Sequence, residues 1–360
     1  MPAALSLLAS ERPRNVSWVG AAGLLFGDWG TSRLYVLGLA FLFAGRSSFY
    51  LIAAMSLLIL AVGWAYTQIC RIYADGGGVY SAARQRSRLL GVVGALLLFA
   101  DYTVTASLSA VDAFHYFGLG APAASQVAEA PASGDIVLEI SSQQTTSEPL
   151  FDWHSPGLWA ILAILLIGAV NLLGPKHTSG YAVFAAAGMV GITLLVVVCS
   201  LPQIHWSQIN FGTLRHPPFA LWEAFVAIVL ALSGVEAIAN LTGVMRKPVY
   251  TTARKSIWTV AVEVAIFNLV LALAMVAVTS LGRHGHKEDM LAFLASTYVG
   301  PWGEWPVRII GGLLLLSAAN TAINGLISIM YVMSRDGEMP QLFQRLNGFG
   351  APWLAAMLAA

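Results

Sequence analysis

The residues predict an all-α integral membrane protein, and three observations carry that prediction. Hydrophobic residues make up 58% of the 360-residue chain and charged residues only 10%, where a soluble domain carries about 25%. Mean hydropathy is +0.73. The apolar residues fall into runs of about 20, the length needed to cross a bilayer as a helix.

Eight such runs follow one another: 18–43, 48–72, 89–117, 156–174, 179–200, 220–245, 257–281 and 305–333. A ninth begins near Pro352 and stops at Ala360, too short to span. The opening segment, Met1 to Ser17, is not a cleavable signal, because its apolar run precedes Glu11, Arg12 and Arg14 instead of following a basic region. Loop charges set the orientation. One side carries Arg12, Arg14, Arg71, Arg84, Arg86, Arg88, Lys176, Arg246, Lys247, Arg254, Lys255, Arg335 and Arg345; the other carries Arg46, Arg215, Arg283 and Lys287. The positive-inside rule then puts the N-terminus in the cytoplasm, and the expected location is the plasma (inner) membrane.

Between the spans, 118–155 is acidic and rich in Ala and Ser, and reads as a solvated external loop. The connections 201–219 and 282–304 are also external, the latter with an aromatic anchor in Pro301-Trp302-Gly303-Glu304-Trp305. Cys70 and Cys199 fall near opposite faces, which argues against a disulfide. His284 and His286 are close, but lack convincing metal-ligand spacing. A net charge of +1 gives no reason to expect nucleic acid. No GxSxG or HExxH motif points to an enzyme, and no cofactor is expected.

The first span carries Gly27-Asp28-Trp29-Gly30-Thr31-Ser32. A charged group at the middle of a span costs roughly 2.5–3.5 kcal/mol on insertion scales. The glycines and hydroxyls beside it break a helix instead of extending it, and a break at that depth must face protein, water or a ligand. Asp101 in the third span and Glu236 in the sixth are further carboxylates inside spans. Asp101, Thr105 and Ser109 recur at i, i+4 and i+8, so one helix face presents all three, with Tyr102 alongside. Ser233 stands three residues before Glu236, and Tyr35 seven after Asp28. Each acid alone could be a structural group satisfied inside the bundle. Together with their hydroxyls they describe a site for a monovalent cation, which needs several oxygens to replace its hydration shell, and a proton can share the same carboxylates. Arg33 modulates the expectation, because it could neutralise Asp28, pair with an acid on another helix or snorkel. Glu263, Asn268, Asn320, Thr321 and Asn324 read as packing groups.

Several runs together resemble the amino acid–polyamine–organocation superfamily of transporters: Gly76-Gly77-Gly78-Val79-Tyr80 with Arg84 beyond it, Asn171-Leu172-Leu173-Gly174-Pro175-Lys176, Ser233-Gly234-Val235-Glu236 and Ser334-Arg335-Asp336-Gly337-Glu338-Met339-Pro340. The first span is similar to the Kup-type potassium-uptake branch, whose GDIGTSPLY stands here as Gly27-Asp28-Trp29-Gly30-Thr31-Ser32-Arg33-Leu34-Tyr35. Arg33 replaces the proline and Trp29 the isoleucine. The resemblance implies a LeuT-type inverted repeat with helices 1 and 6 broken, around Gly27, Gly30, Thr31 and Gly234. Residues 1–200 would form the first five-helix repeat and 201–360 an incomplete second one, and the chain reads as a fragment of a longer transporter, with a natural truncation as the alternative. It implies a secondary transporter importing potassium with protons, with Asp28, Tyr35, Asp101, Tyr102, Thr105, Ser109, Ser233 and Glu236 binding the cargo. The partners implied are the transported ion and the lipid bilayer, with a homodimer left open. The alternatives are an amino acid or polyamine permease on the same fold, and a non-transporting membrane sensor or assembly partner.

Overall fold

The structure, a computed structural model, describes residues 12–119, 153, 155–206, 209, 211, 212, 217–229, 232–278, 281, 286 and 289–360. The described residues are helical, with turns and two isolated bridges in place of any sheet. The helices are α1 (Trp18–Trp29), α2 (Ser32–Ala44), α3 (Ser48–Ile72), α4 (Gly78–Arg86), α5 (Arg88–Tyr116), α6 (Pro156–Asn171), α7 (Pro175–Ser200), α8 (Pro218–Val229), α9 (Val235–Asn240), α10 (Val249–Ala277), α11 (Met290–Tyr298), α12 (Glu304–Arg335) and α13 (Trp353–Ala359). Five apolar helical runs among the described residues are long enough to cross a membrane: Trp18–Ile72, Arg88–Tyr116, Thr178–Gln203, Val249–Ala277 and Pro301–Arg335. This is a multi-pass membrane protein.

Two packing groups surround α1. On one side α3 lies along α10; on the other α5 lies along α12, with α6 behind it. Helix α1 touches α7, α9, α10 and α12. Helix α12 forms the centre, with 89% of its apolar window buried.

Irregular backbone follows α1 and precedes α9, and the two places differ in form. After α1, Gly30 and Thr31 leave the regular helix only slightly, since both keep right-handed helical angles. Three consecutive side chains take up the carbonyls at this point. Thr31 Oγ1 donates to the carbonyl of Asp28, Ser32 Oγ to that of Trp29 at 2.7 Å, and Arg33 Nε to that of Gly30 at 3.1 Å. The expectation of an opened backbone around Gly27 needs correction. Gly27 lies inside α1, where a side chain would meet the backbone and hydroxyl of Ser317 on α12 at 3.0 Å. The second interruption is a true reversal: Gly234 sits at φ +89° before α9, a conformation that glycine alone adopts without penalty.

Hydropathy missed three pieces of helix, for physical reasons. Helix α10 starts at Val249 instead of 257 because its first two turns are amphipathic: Thr252, Ala253 and Ser256 are buried, while Thr251, Arg254 and Lys255 are exposed. Helix α11 stands inside a predicted loop, burying Met290, Leu291, Leu294 and Ala295 at helical spacing on too short a stretch to register as a span. Helix α4 begins at the glycine triplet, with Gly77 left-handed at φ +82°. The Asn171-to-Lys176 run ends α6, turns through Leu172 to Gly174 and begins α7. Cys70 and Cys199 are free, and Trp302 and Trp305 are exposed. Most of the 118–155 loop lies outside the described residues, as do Met1 to Glu11, Arg215, Arg283, His284 and Lys287.

On the side of the N-terminal segment the two interrupted regions are tied together. Val16 bridges to Met245, its amide donating to the carbonyl of Val244 at 3.1 Å. Arg14 reaches the carbonyls of Ala74 and Thr242 and a carboxylate oxygen of Asp75 at 2.6 Å. Arg12 is buried, donates to Ser328 Oγ at 3.0 Å and lies over the ring of Tyr331.

Candidate functional site

The two interruptions face each other. The side chain of Asp28 occupies the space a Cβ at position 234 would need, so Gly234 is required both for its backbone angle and for Asp28. Glu236, the second residue of α9, turns back so that Oε1 accepts the amide of Gly234 at 3.2 Å. From α5, the carboxyl of Asp101 comes near that of Glu236. Asp28 lies within electrostatic reach of both Glu236 and Asp101. Among the described residues no lysine, arginine or histidine pairs with any of the three. Nor, among the described residues, do three His, Cys, Asp or Glu side chains form a cluster that would cage a metal ion.

The surrounding hydroxyls come from α2, α5 and the turn before α9. Tyr102, on α5, is buried and its hydroxyl accepts from Asn240 Nδ2 at 2.8 Å. Gly325 of α12 leaves room for that ring, since a Cβ there would stand 2.7 Å from it. Tyr35 of α2 is half-buried, four residues after Thr31. Thr105, Ser109 and Ser233 are half-buried, whereas Asp101 is exposed. That last placement differs from the expectation of three enclosed acids. Helix α5 turns its Asp101 side outward while Tyr102, the next residue, points into the core.

Arg33 does not neutralise Asp28. Its guanidinium makes a bidentate pair with Glu263 of α10, at 3.0 and 2.7 Å, and donates to Thr193 Oγ1 of α7 at 3.1 Å. The rings of Phe26 and Phe267 lie against it. Its side chain is 0% exposed and that of Glu263 15%. Each of its three nitrogens donates inside the protein, so its charge is already matched by a carboxylate.

Two residues of this site were not singled out in the sequence. Asn240 follows Glu236 at i+4, a spacing that puts it on the same helix face. Tyr66 of α3 lies within electrostatic reach of Glu236 and Asp101, and nothing in its local sequence distinguishes it from a core aromatic.

The family model for amino acid permeases matches residues 16–360. The chain belongs to this family. It is 24% identical over 305 residues to the potassium transporter KimA of Bacillus subtilis, covering 80% of this chain and 44% of KimA. It is 26% identical over 356 residues to a probable potassium transport system protein Kup of Thiobacillus denitrificans, covering 91% and 50% respectively. A probable threonine/serine transporter of Bacillus subtilis, YbxG, is 21% identical over 212 residues, covering 53% of this chain and 44% of that protein. The chain thus spans about half the length of the curated relatives it matches. Family and relatives are transporters, not enzymes.

Proposed function

We propose that this chain forms the cation pathway of a secondary transporter that takes up potassium with protons as the coupling ion. The observation that carries the reading is the group of Asp28, Asp101 and Glu236 around the Gly234 reversal with no basic partner among the described residues. Uncompensated carboxylates inside a membrane protein are costly unless a cation or proton joins them. In this reading Asp28 and Asp101 attract the ion, and Tyr35, Tyr102, Thr105, Ser109 and Ser233 supply neutral oxygens. Glu236 carries the proton, handing it to and from Asp101. The names of the KimA and Kup relatives support potassium as the cargo.

The reading includes a LeuT-type arrangement, with residues 1–200 and 201–360 as oppositely oriented repeats. The N-terminus is cytoplasmic, in the plasma membrane. Transport proceeds by rocking of the interrupted helices with their neighbours against the remaining bundle.

Uptake of radioactive rubidium by the protein in a host lacking its own potassium uptake tests the function. The proposal expects rubidium uptake that unlabelled potassium competes away and that Asp28→Asn abolishes. Amino acid uptake with no rubidium uptake would overturn it in favour of a permease.

A further inference from the structure

A furrow of about 260 Å³ runs between α1, α7 and α10, and none of the three acids of the candidate site lines it. Its walls are apolar side chains such as Ala22, Phe26 and Ala186. Trp18 and Val19 at its edge are exposed, so the furrow opens sideways, toward lipid. Thr259 and Glu263 line it four residues apart on α10, which turns that face of the helix into the furrow. Lys255 is the preceding position on the same face, and it is exposed.

The dimensions and charges match one kind of occupant. From Lys255 to Glu263 the helix rises about 12 Å, close to the roughly 15 Å of hydrocarbon in one leaflet. The basic end is rich in positive charge: Arg246, Lys247 and Arg254 are exposed nearby in sequence, and the stretch from Val249 to Val262 contains no acid. At the far end the only charged lining group, Glu263, is already engaged by Arg33, so the furrow beyond Lys255 presents no free charge to a chain lying in it.

We infer that the furrow seats one acyl chain of an anionic phospholipid, drawn from the leaflet on the Arg12 side, with its phosphate paired to Lys255. The acyl chain covers the exposed edge of Glu263 and keeps water from the Arg33 pair, where a low dielectric strengthens the attraction.

Native mass spectrometry of the detergent-purified chain tests this, with phosphatidylglycerol and phosphatidylethanolamine of identical acyl chains supplied in equal amounts. Phosphatidylglycerol adducts are expected to exceed the other by about fivefold, the effect of one well-placed lysine. Lys255→Gln should bring the two to parity, and Ala186→Phe, which fills the furrow, should remove the excess. Should Ala186→Phe fail to fold, Thr259→Trp occupies the same space from the exposed lip. Equal adducts on the unaltered chain overturn the inference. So does a phosphatidylglycerol excess that survives either the lysine or the furrow-filling change, because the lipid then binds the basic surface generally.

Discussion

Two charged groups stand five residues apart around the first interruption, and the protein treats them oppositely. Arg33 is fully compensated: a bidentate carboxylate, a hydroxyl, a backbone carbonyl and two aromatic rings surround it. Asp28 is not: its charged neighbours are two more acids. A balanced pair such as Arg33–Glu263 holds helices in place and leaves nothing over for a ligand. In the proposed function, an unbalanced group such as Asp28, Asp101 and Glu236 is completed by a cation or protons. The contrast sets a paired charge beside an unpaired one within one helical turn and a half.

The contrast predicts different responses to mutation. The largest effect is expected at the balanced pair. Arg33→Ala leaves Glu263 without its partner and should cost about 3–5 kcal/mol of stability, while the double change Arg33→Met with Glu263→Leu should recover most of it. Thermal unfolding in detergent measures both, and a mild single mutant would show that the pair is not what secures α2. Next comes Gly234→Ala, which strains a left-handed position and collides with Asp28. A loss of about 1–3 kcal/mol is expected, and an unchanged melting temperature would mean that the reversal can relax away from Asp28. Asn240→Ala removes the donor to the Tyr102 hydroxyl and should cost about 1 kcal/mol; chemical denaturation resolves a change of that size. Smallest is Asp75→Asn. Its pair with Arg14 is surface-exposed on the aspartate side, at 76%, so the melting temperature should move by the equivalent of about 0–1 kcal/mol. A larger shift would mark the tie between the N-terminal segment and the α3–α4 turn as a major stabilising contact.

What was legible in the sequence follows from how local each signal is. The spans at 48–72 and 89–117 appear almost as read, because a bilayer-length apolar run is a property of consecutive residues. The interruptions at Gly30–Thr31 and Gly234 were also legible, since glycine beside an acid in an apolar run is a local conflict. The capping of the first interruption by Thr31, Ser32 and Arg33 was less so: their hydroxyl and guanidinium groups were visible, but not that they would bond back three residues. Arg33's partner was not legible at all. Glu263 lies 230 residues away, and only packing decides which of several buried acids an arginine meets. Asp101 shows the same limit. Its register with Thr105 and Ser109 was readable, but its exposure depends on how α5 rotates against α12. Helix α11 escaped because nine residues that bury one face against α12 do not resemble a span.

The central claim is that Asp28, with Glu236 and Asp101 near it, draws a monovalent cation. Thermal unfolding of the purified chain in potassium chloride, against choline chloride at equal ionic strength, tests it most directly. Saturating potassium at 100 times its dissociation constant should stabilise the chain by about 2.7 kcal/mol. Asp28→Asn should abolish that gain while leaving stability in choline unchanged or higher, because like charges are relieved. Potassium stabilisation that persists in Asp28→Asn, or none in the unaltered chain, would contradict the account.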